Sequence, residues 1–301
     1  MPSTRDIRRR IRSVKNTKQI TKAMQMVAAS KMRRAQQAAL AGRPYAGLMN
    51  NVLSQVSAHA GDFSHPLMDK REVKTRALIV IATDKGLCGG LNGNIAREVA
   101  KLDKASTIFI TAGRKASQFV ARTKRKLAAE FTYKDAPLFA EARAISKFAR
   151  DLFTKGEVDQ VDILFTNFVS TLTQKPQSRQ FLPVGELKPF AAGVEDEKKP
   201  GTPAEGNKSE EGLQGATEYL FEPSVEHVLG ELLPHYLNFQ VFQILLEAKA
   251  SEHSARMVAM KNATDNADQL IKDLTLDYNK LRQSNITREL LEITTAQMAL
   301  G

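Results

Sequence analysis

Apolar residues recur at spacings of three and four near the start of the chain. Ile7, Ile11 and Val14 begin the stripe, which resumes at Ile20, Met24 and Val27 and passes through Ala28, Ala35 and Ala38. Residues 3 to about 59 therefore read as helix, with Gly42-Arg43-Pro44 marking a kink. The period changes in the middle. Ala77-Leu78-Ile79-Val80-Ile81 is a continuous apolar run, β-branched at its centre, and reads as a buried strand. Thr107–Thr111, Leu127–Tyr133 and Val161–Thr166 read as further strands, and Phe181–Val184 as a short one. Helices are expected near 92–102, 114–123 and 137–154, with Pro137 in the first turn of the last. Alternating strands and helices imply a mainly parallel sheet covered by helices.

From Ser224 to Met298 the helical period returns, with Pro234 near its start and no glycine between Gly230 and Gly301. Leu237, Val241, Ile244, Ala248, Ser251, Ala255 and Val258 follow heptad spacing, and the stripe continues at Ala263, Ala267, Leu270, Leu274 and Leu281. Such a helix would be roughly 110 Å long at 1.5 Å per residue, too long for a globular domain of this size, so it must project and its stripe needs a partner. The N-terminal helix is the economical one. The expected fold is α/β: a long antiparallel coiled coil of the N- and C-terminal helices with an inserted Rossmann-like α/β domain. The expected boundaries are 1–60 for the first coil helix, 74–192 for the α/β domain, 193–216 for a flexible linker and 224–301 for the second coil helix. The linker is rich in Gly, Pro and charge, and cannot bury enough apolar surface to offset its ordering entropy.

Charge sharpens this picture. The 301 residues hold 44 Lys and Arg against 33 Asp and Glu, a formal excess of +11. Twelve basic residues and a single acid, Asp6, lie within residues 1–43, so that segment carries the whole excess. A basic helix of this kind meets nucleic acid, anionic lipid or an acidic protein surface. One cysteine, Cys88, excludes an internal disulfide framework and a multi-cysteine metal site. No apolar run reaches the ~20 residues of a membrane span, and the N-terminus has no signal-peptide core.

The turn Thr83-Asp84-Lys85-Gly86-Leu87-Cys88-Gly89-Gly90-Leu91-Asn92 joins a strand to a helix, where phosphates bind in doubly wound sheets. It matches neither G-x-G-x-x-G nor G-x-x-x-x-G-K-[ST], and Asp84 would repel a phosphate. Close packing of a tight turn is the plainer reading, and a packed Cys88 is plainer than a reactive one. None of the five histidines has metal-ligand spacing with a nearby acid, and Glu252-His253 reads as surface or seam. No nucleophile–base arrangement stands out. The expectation is no catalytic residue, no metal and no cofactor.

Four blocks carry a family resemblance. They are Asp6–Ile11 with Ile20–Met32, Thr83–Asn92, Ser251–Thr264, and Tyr278–Ile293. In this order they closely resemble the gamma subunit of bacterial F-type ATP synthases. The stretch Thr294–Met298 departs from the family's usual Gly-Ala-containing sequence, and the two-cysteine insertion of chloroplast forms is absent.

The resemblance implies a central-stalk rotor, whose coil enters a ring of alternating alpha and beta subunits and whose α/β domain sits with the epsilon subunit on the membrane c ring. Rotation driven by protons would then power ATP synthesis on the beta subunits. The protein itself would be non-catalytic and peripheral, held to the cytoplasmic face of the bacterial inner membrane only through the membrane sector. By block, Lys22, Met24, Arg256, Gln283 and Thr287 match positions contacting the beta subunit, and Tyr219, Phe221 and Glu222 match the c-ring contact. The resemblance implies no nucleic-acid partner; a basic coiled-coil protein that binds nucleic acid is the alternative drawn from charge alone, and the absence of Phe, Tyr and Trp from residues 1–43 disfavours single-strand stacking.

Overall fold

The computed structural model describes residues 3–42, 44–49, 52–53, 65–69, 71–184 and 224–300. Residues 193–216, Tyr219, Phe221 and Glu222 lie outside the described residues. The elements in chain order are α1 Thr4–Ala41, β1 Arg76–Ile81, α2 Leu91–Lys101, β2 Thr107–Ala112, α3 Arg114–Arg122, β3 Leu127–Phe131, α4 Phe139–Thr154, β4 Gln160–Phe168, β5 Gln174–Leu182 and α5 Val225–Leu300. They form two compact units, residues 1–31 with 87–89 and 253–301, and residues 32–86 with 90–252.

In the second unit the strands lie in the order β3-β2-β1-β4-β5. The first four are parallel and β5 is antiparallel to β4. Side chains alternate across β1, so Ala77, Ile79 and Ile81 join one core and Leu78 and Val80 the other. The first core is closed by Ala142, Ile145, Ala149 and Phe153 of α4 and by Leu233, Leu237, Val241 and Ile244 of α5. The second is closed by Ile95 and Val99 of α2 and by Ala116 and Val120 of α3. Burial on both faces explains why the central strand reads as an unbroken apolar run.

The edge strand departs from expectation. A short strand was expected at 181–184, but β5 is nine residues long and spans Gln174–Leu182. Gln174, Lys175, Gln177, Ser178, Arg179 and Gln180 give it no apolar alternation, and Pro176 occupies a position only an edge strand tolerates. Its partner β4 supplies the pairing. Helix α4 likewise starts later than expected: Leu138 is its N-cap, its backbone N–H donating to Glu141 Oε2 at 2.9 Å, so Pro137 precedes the first turn.

The terminal helices hold the longest runs of the fold. Ser3 caps α1, its Oγ accepting from the Asp6 N–H at 3.2 Å. In the first unit α1 and α5 run antiparallel in a fixed register. Arg8 donates to the Tyr278 hydroxyl at 2.6 Å, Lys18 pairs with Asp268, and Thr264 donates to Thr21 Oγ1 at 2.8 Å. The second unit holds a similar pairing, in which Gln243 donates to the Ala39 carbonyl at 3.0 Å and the rings of Tyr45 and Phe239 lie 4.8 Å apart.

The seam itself differs from the apolar stripe read above. On α1 it runs through Ile7, Ile11, Val14, Lys18, Thr21, Gln25 and Ala28, while Ile20 is 60% and Val27 56% exposed. On α5 it runs through Met260, Thr264, Ala267, Ile271, Leu274, Tyr278 and Leu281, leaving Leu270 exposed. The cause is that residues 248–255 are buried all round, so no stripe survives there to carry the register from Val241 to Met260.

Candidate functional site

The five candidate contact residues on the coil all lie in the first unit. Lys22 is exposed and donates to Gln25 Oε1 at 3.3 Å; Met24 is half-buried beside the seam. The Thr21–Thr264 contact sets these two opposite the Met260–Thr264 turn of α5. Arg256 is half-buried, and its guanidinium donates to His253 Nδ1 at 3.3 Å, one turn earlier on the same helix. Gln283 and Thr287 are exposed. Thr287 Oγ1 donates to the Gln283 carbonyl at 3.0 Å, so its proton is used within the helix and it offers only acceptor lone pairs outward.

Twenty-seven residues separate Arg256 from Gln283, roughly 40 Å along the helix axis. The five residues therefore do not converge on one site. They form an upper group, Gln283 with Thr287, and a lower group around Arg256, Lys22 and Met24. Most basic residues of α1 face outward: Arg5, Arg10, Arg12, Lys15 and Lys22 are exposed, whereas Arg8 reaches Tyr278, Arg9 pairs with Asp6 and Lys18 pairs with Asp268. This is a charged face available to an acidic partner surface.

The glycine-rich turn is stitched to itself. In the second unit Asn92 Nδ2 donates to Thr83 Oγ1 at 2.8 Å, and Thr83 Oγ1 donates to the Lys85 carbonyl at 2.7 Å. Asp84 Oδ1 accepts from the backbone N–H of Arg114 at 2.9 Å, which places a carboxylate at the start of α3. An anion approaching these helix starts would meet that carboxylate. In the first unit Cys88 is buried, and Gly89 has φ +59°. A Cβ built on Gly89 would lie 3.9 Å from Ala259 Cβ, ordinary contact distance, so it is the positive φ and not crowding that favours glycine. Among the described residues no group of three or more His, Cys, Asp and Glu is placed to hold a metal ion.

A buried charged cluster was not found from the sequence. Lys249 is 1% exposed and lies 3.0 Å from Glu252 Oε2 and 3.7 Å from Asp135. Its ammonium also sits 4.4 Å from the centroid of the Tyr133 ring. Burial, and then the charges of Glu252, Asp84, Asp135 and Glu141, push the Tyr133 hydroxyl well up, so it stays protonated and donates to the Ala82 carbonyl at 3.0 Å. Ser251 donates to the Thr166 carbonyl at 3.0 Å. The cluster thus ties α5 to the carboxyl ends of β1 and β4. Glu252 and His253 are each 2% exposed, which corrects the surface reading of that dipeptide and leaves the seam reading. The signal available in the sequence was a Lys–Glu pair at i, i+3 flanked by Ala248, Ala250 and Ser251, small residues that admit close packing.

No described helix is long and apolar enough to cross a membrane. The family model described as ATP synthase matches residues 3–300. The ATP synthase gamma chain of Opitutus terrae is 48% identical, the match covering 99% of each chain. That of Methylacidiphilum infernorum is 44% identical, covering all of both chains. Among solved structures, a chain of the central stalk and c ring of Tetrahymena thermophila mitochondrial ATP synthase is 25% identical, with TM-score 0.57 over 81% of this chain and 99% of that one. A chain of the Euglena gracilis mitochondrial ATP synthase shares the fold at TM-score 0.67, with 21% identity over 99% and 94% of the two chains. These matches give no support to the nucleic-acid alternative, and they agree with the four sequence blocks and the paired terminal helices: the chain belongs to the ATP synthase gamma chain family.

Proposed function

We propose that this chain is the central-stalk rotor of an F-type ATP synthase, coupling proton-driven rotation of the c ring to ATP synthesis on the beta subunits. The observation that carries this reading is the registered antiparallel pairing of α1 with α5, through Arg8–Tyr278, Lys18–Asp268 and Thr21–Thr264, in a chain matched by the family from residue 3 to residue 300. Two helices cross-linked along their length resist twisting better than one, which is what a shaft that transmits torque requires. The outward basic face of α1 supports seating in an acidic sleeve, where screened attraction holds position without locking it.

In this reading Gln283 and Thr287 grip one beta-subunit loop, and Arg256, Lys22 and Met24 serve a separate contact. Tyr219, Phe221 and Glu222 meet the c ring, and the 74–192 domain meets the epsilon subunit. Nucleotide chemistry belongs to the beta subunits. The chain is peripheral, held at the cytoplasmic face of a bacterial inner membrane through its partners. The test is reconstitution of the full chain with alpha, beta and epsilon subunits, followed by observation of a marker attached to the chain during ATP hydrolysis. Co-purification and one-way rotation are expected. A chain that fails to join the complex, or joins it and stays still during hydrolysis, refutes the reading.

A further inference from the structure

The chain has a single Asn-Gly step, Asn92-Gly93. Asparagine is chemically labile, and most so before glycine, where no Cβ hinders attack of the following backbone nitrogen on the side-chain amide. Such a step ordinarily marks a turn. Here it lies in the first turn of α2, which has Gly90 as its N-cap. Asn92 is half-buried and Gly93 exposed, so water reaches the step. The first intrahelical bond runs from the Asn94 N–H to the Gly90 carbonyl at 2.9 Å, so the Gly93 N–H precedes the helix ladder.

Two features keep the reacting atoms apart. A helical Cα–Cβ bond tilts toward the N-terminus, which carries the Asn92 carboxamide away from the Gly93 nitrogen. Thr83, just beyond β1, then holds that carboxamide. Its Oγ1 accepts from Asn92 Nδ2 at 2.8 Å, and its backbone N–H reaches Asn92 Oδ1 at 3.4 Å. Thr83 is 2% exposed, and its own hydroxyl proton goes to the Lys85 carbonyl at 2.7 Å. The turn itself is weakly held: its N-cap makes no side-chain hydrogen bond, and glycine at both Gly90 and Gly93 lowers helix propensity.

We propose that Asn92-Gly93 is a masked deamidation site, closed by Thr83 and opened by unwinding of the first turn of α2. In the unwound turn the Gly93 amide nitrogen, its proton lost to a solvent base, bonds to Asn92 Cγ. The bond from Cγ to the side-chain nitrogen breaks, and that nitrogen leaves as ammonia. The cyclic succinimide so formed takes up water and opens at either carbonyl, to aspartate or to isoaspartate. Nothing is oxidised or reduced. Aspartate at this position lacks the Nδ2 donor, so Thr83 can meet it only by turning its proton away from Lys85. Isoaspartate lengthens the backbone by a methylene and cannot rejoin the helical turn. Either product unstitches the glycine-rich turn from α2. The proposal concerns the chain's own chemistry and does not depend on the rotor reading.

The test is incubation of the full chain in mildly alkaline buffer, folded and held unfolded in urea, with conversion at Asn92 followed by peptide mass spectrometry and isoaspartate quantified. The unfolded chain should convert at Asn92 ahead of its other asparagines. The folded chain should convert there at least about tenfold more slowly, because a turn and a hydrogen bond must open first. Thr83→Val keeps the volume but cannot accept from Asn92, so the folded variant should convert about fivefold faster than the parent. Thr83→Ser keeps the hydroxyl and should stay close to the parent. A Cβ at Gly93 meets nothing within 4 Å, so Gly93→Ala should fold and should slow conversion of the unfolded chain. Equal rates in the folded and unfolded parent, no preference for Asn92 in the unfolded chain, or a folded Thr83→Val no faster than the parent would each overturn the proposal. Should Thr83→Val fail to fold, the folded-to-unfolded ratio of the parent, set beside Gly93→Ala, still decides.

Discussion

Removing Glu252 isolates the energetic role of the buried cluster. The Lys249–Glu252 pair is 3.0 Å apart with both side chains at most 3% exposed. At an effective dielectric of 20 the attraction is about 5–6 kcal/mol. Desolvating each ion costs several kcal/mol, so the intact pair contributes little net stability. Substituting one partner is different, because the other charge keeps its desolvation cost. Glu252→Gln is therefore expected to destabilise the protein by about 3 kcal/mol, the lower end for broken buried pairs. It falls at the lower end because Lys249 still faces Asp135 at 3.7 Å and the Tyr133 ring at 4.4 Å.

For a unit of 150–250 residues this is a drop of about 6–12 °C in melting temperature. The double variant Lys249→Met with Glu252→Leu removes both charges and replaces them with side chains of similar volume. It should recover most of the loss, to within about 1–2 kcal/mol of the parent or above it. Urea unfolding of the three proteins, read by far-ultraviolet circular dichroism, measures these differences. If Glu252→Gln costs less than about 1 kcal/mol, or if the double variant is no more stable than the single one, the account of a desolvated, mutually dependent pair is wrong.

Three further outcomes follow from the geometry. Gly113 has φ +103°, and a Cβ there would lie 2.1 Å from the Ala82 carbonyl oxygen, so Gly113→Ala should cost at least about 3 kcal/mol, measurable by the same unfolding experiment; a near-neutral result refutes the close approach of β1 to the start of α3. Hydrogen bonding from Lys18, and then its charge, lower the Asp268 carboxyl, so its contribution is present above the unfolded carboxylate value and lost as pH falls through the lower folded one. Asp268→Asn should therefore flatten the acid limb of the stability–pH curve below about pH 4, and an unchanged limb counts against this register contact. On the rotor reading, Arg256→Ala and Gln283→Ala should each slow turnover of the assembled complex by about tenfold, with effects that multiply in the double variant because the sites are far apart; undiminished turnover would remove both residues from the torque path.

Local period settled much of this protein in advance. The run Ala77–Ile81 announced a strand buried on both faces, and the unbroken helical pattern beyond Gly230 announced α5. Both signals are local: alternation or its absence over five residues, and the lack of Gly and Pro from His235 to Leu300. The blocks Asp6–Ile11 and Ser251–Thr264 likewise make the family legible in the sequence, because order and residue type need no geometry.

Partnership was decided only in three dimensions. Strand β5 is polar and exposed along its free edge, and it exists because β4 offers hydrogen bonds, which no propensity in Gln174–Gln180 reports. The coil seam runs through Lys18, Thr21 and Thr264 because those polar side chains satisfy one another or meet Asp268, whereas the more hydrophobic Ile20, Val27 and Leu270 face outward. A stripe of hydrophobic residues identifies a seam only when nothing polar is paired across it. Lys249 was invisible for the same reason: a lysine reads as surface until the fold supplies Glu252, Asp135 and the face of Tyr133 to compensate its burial.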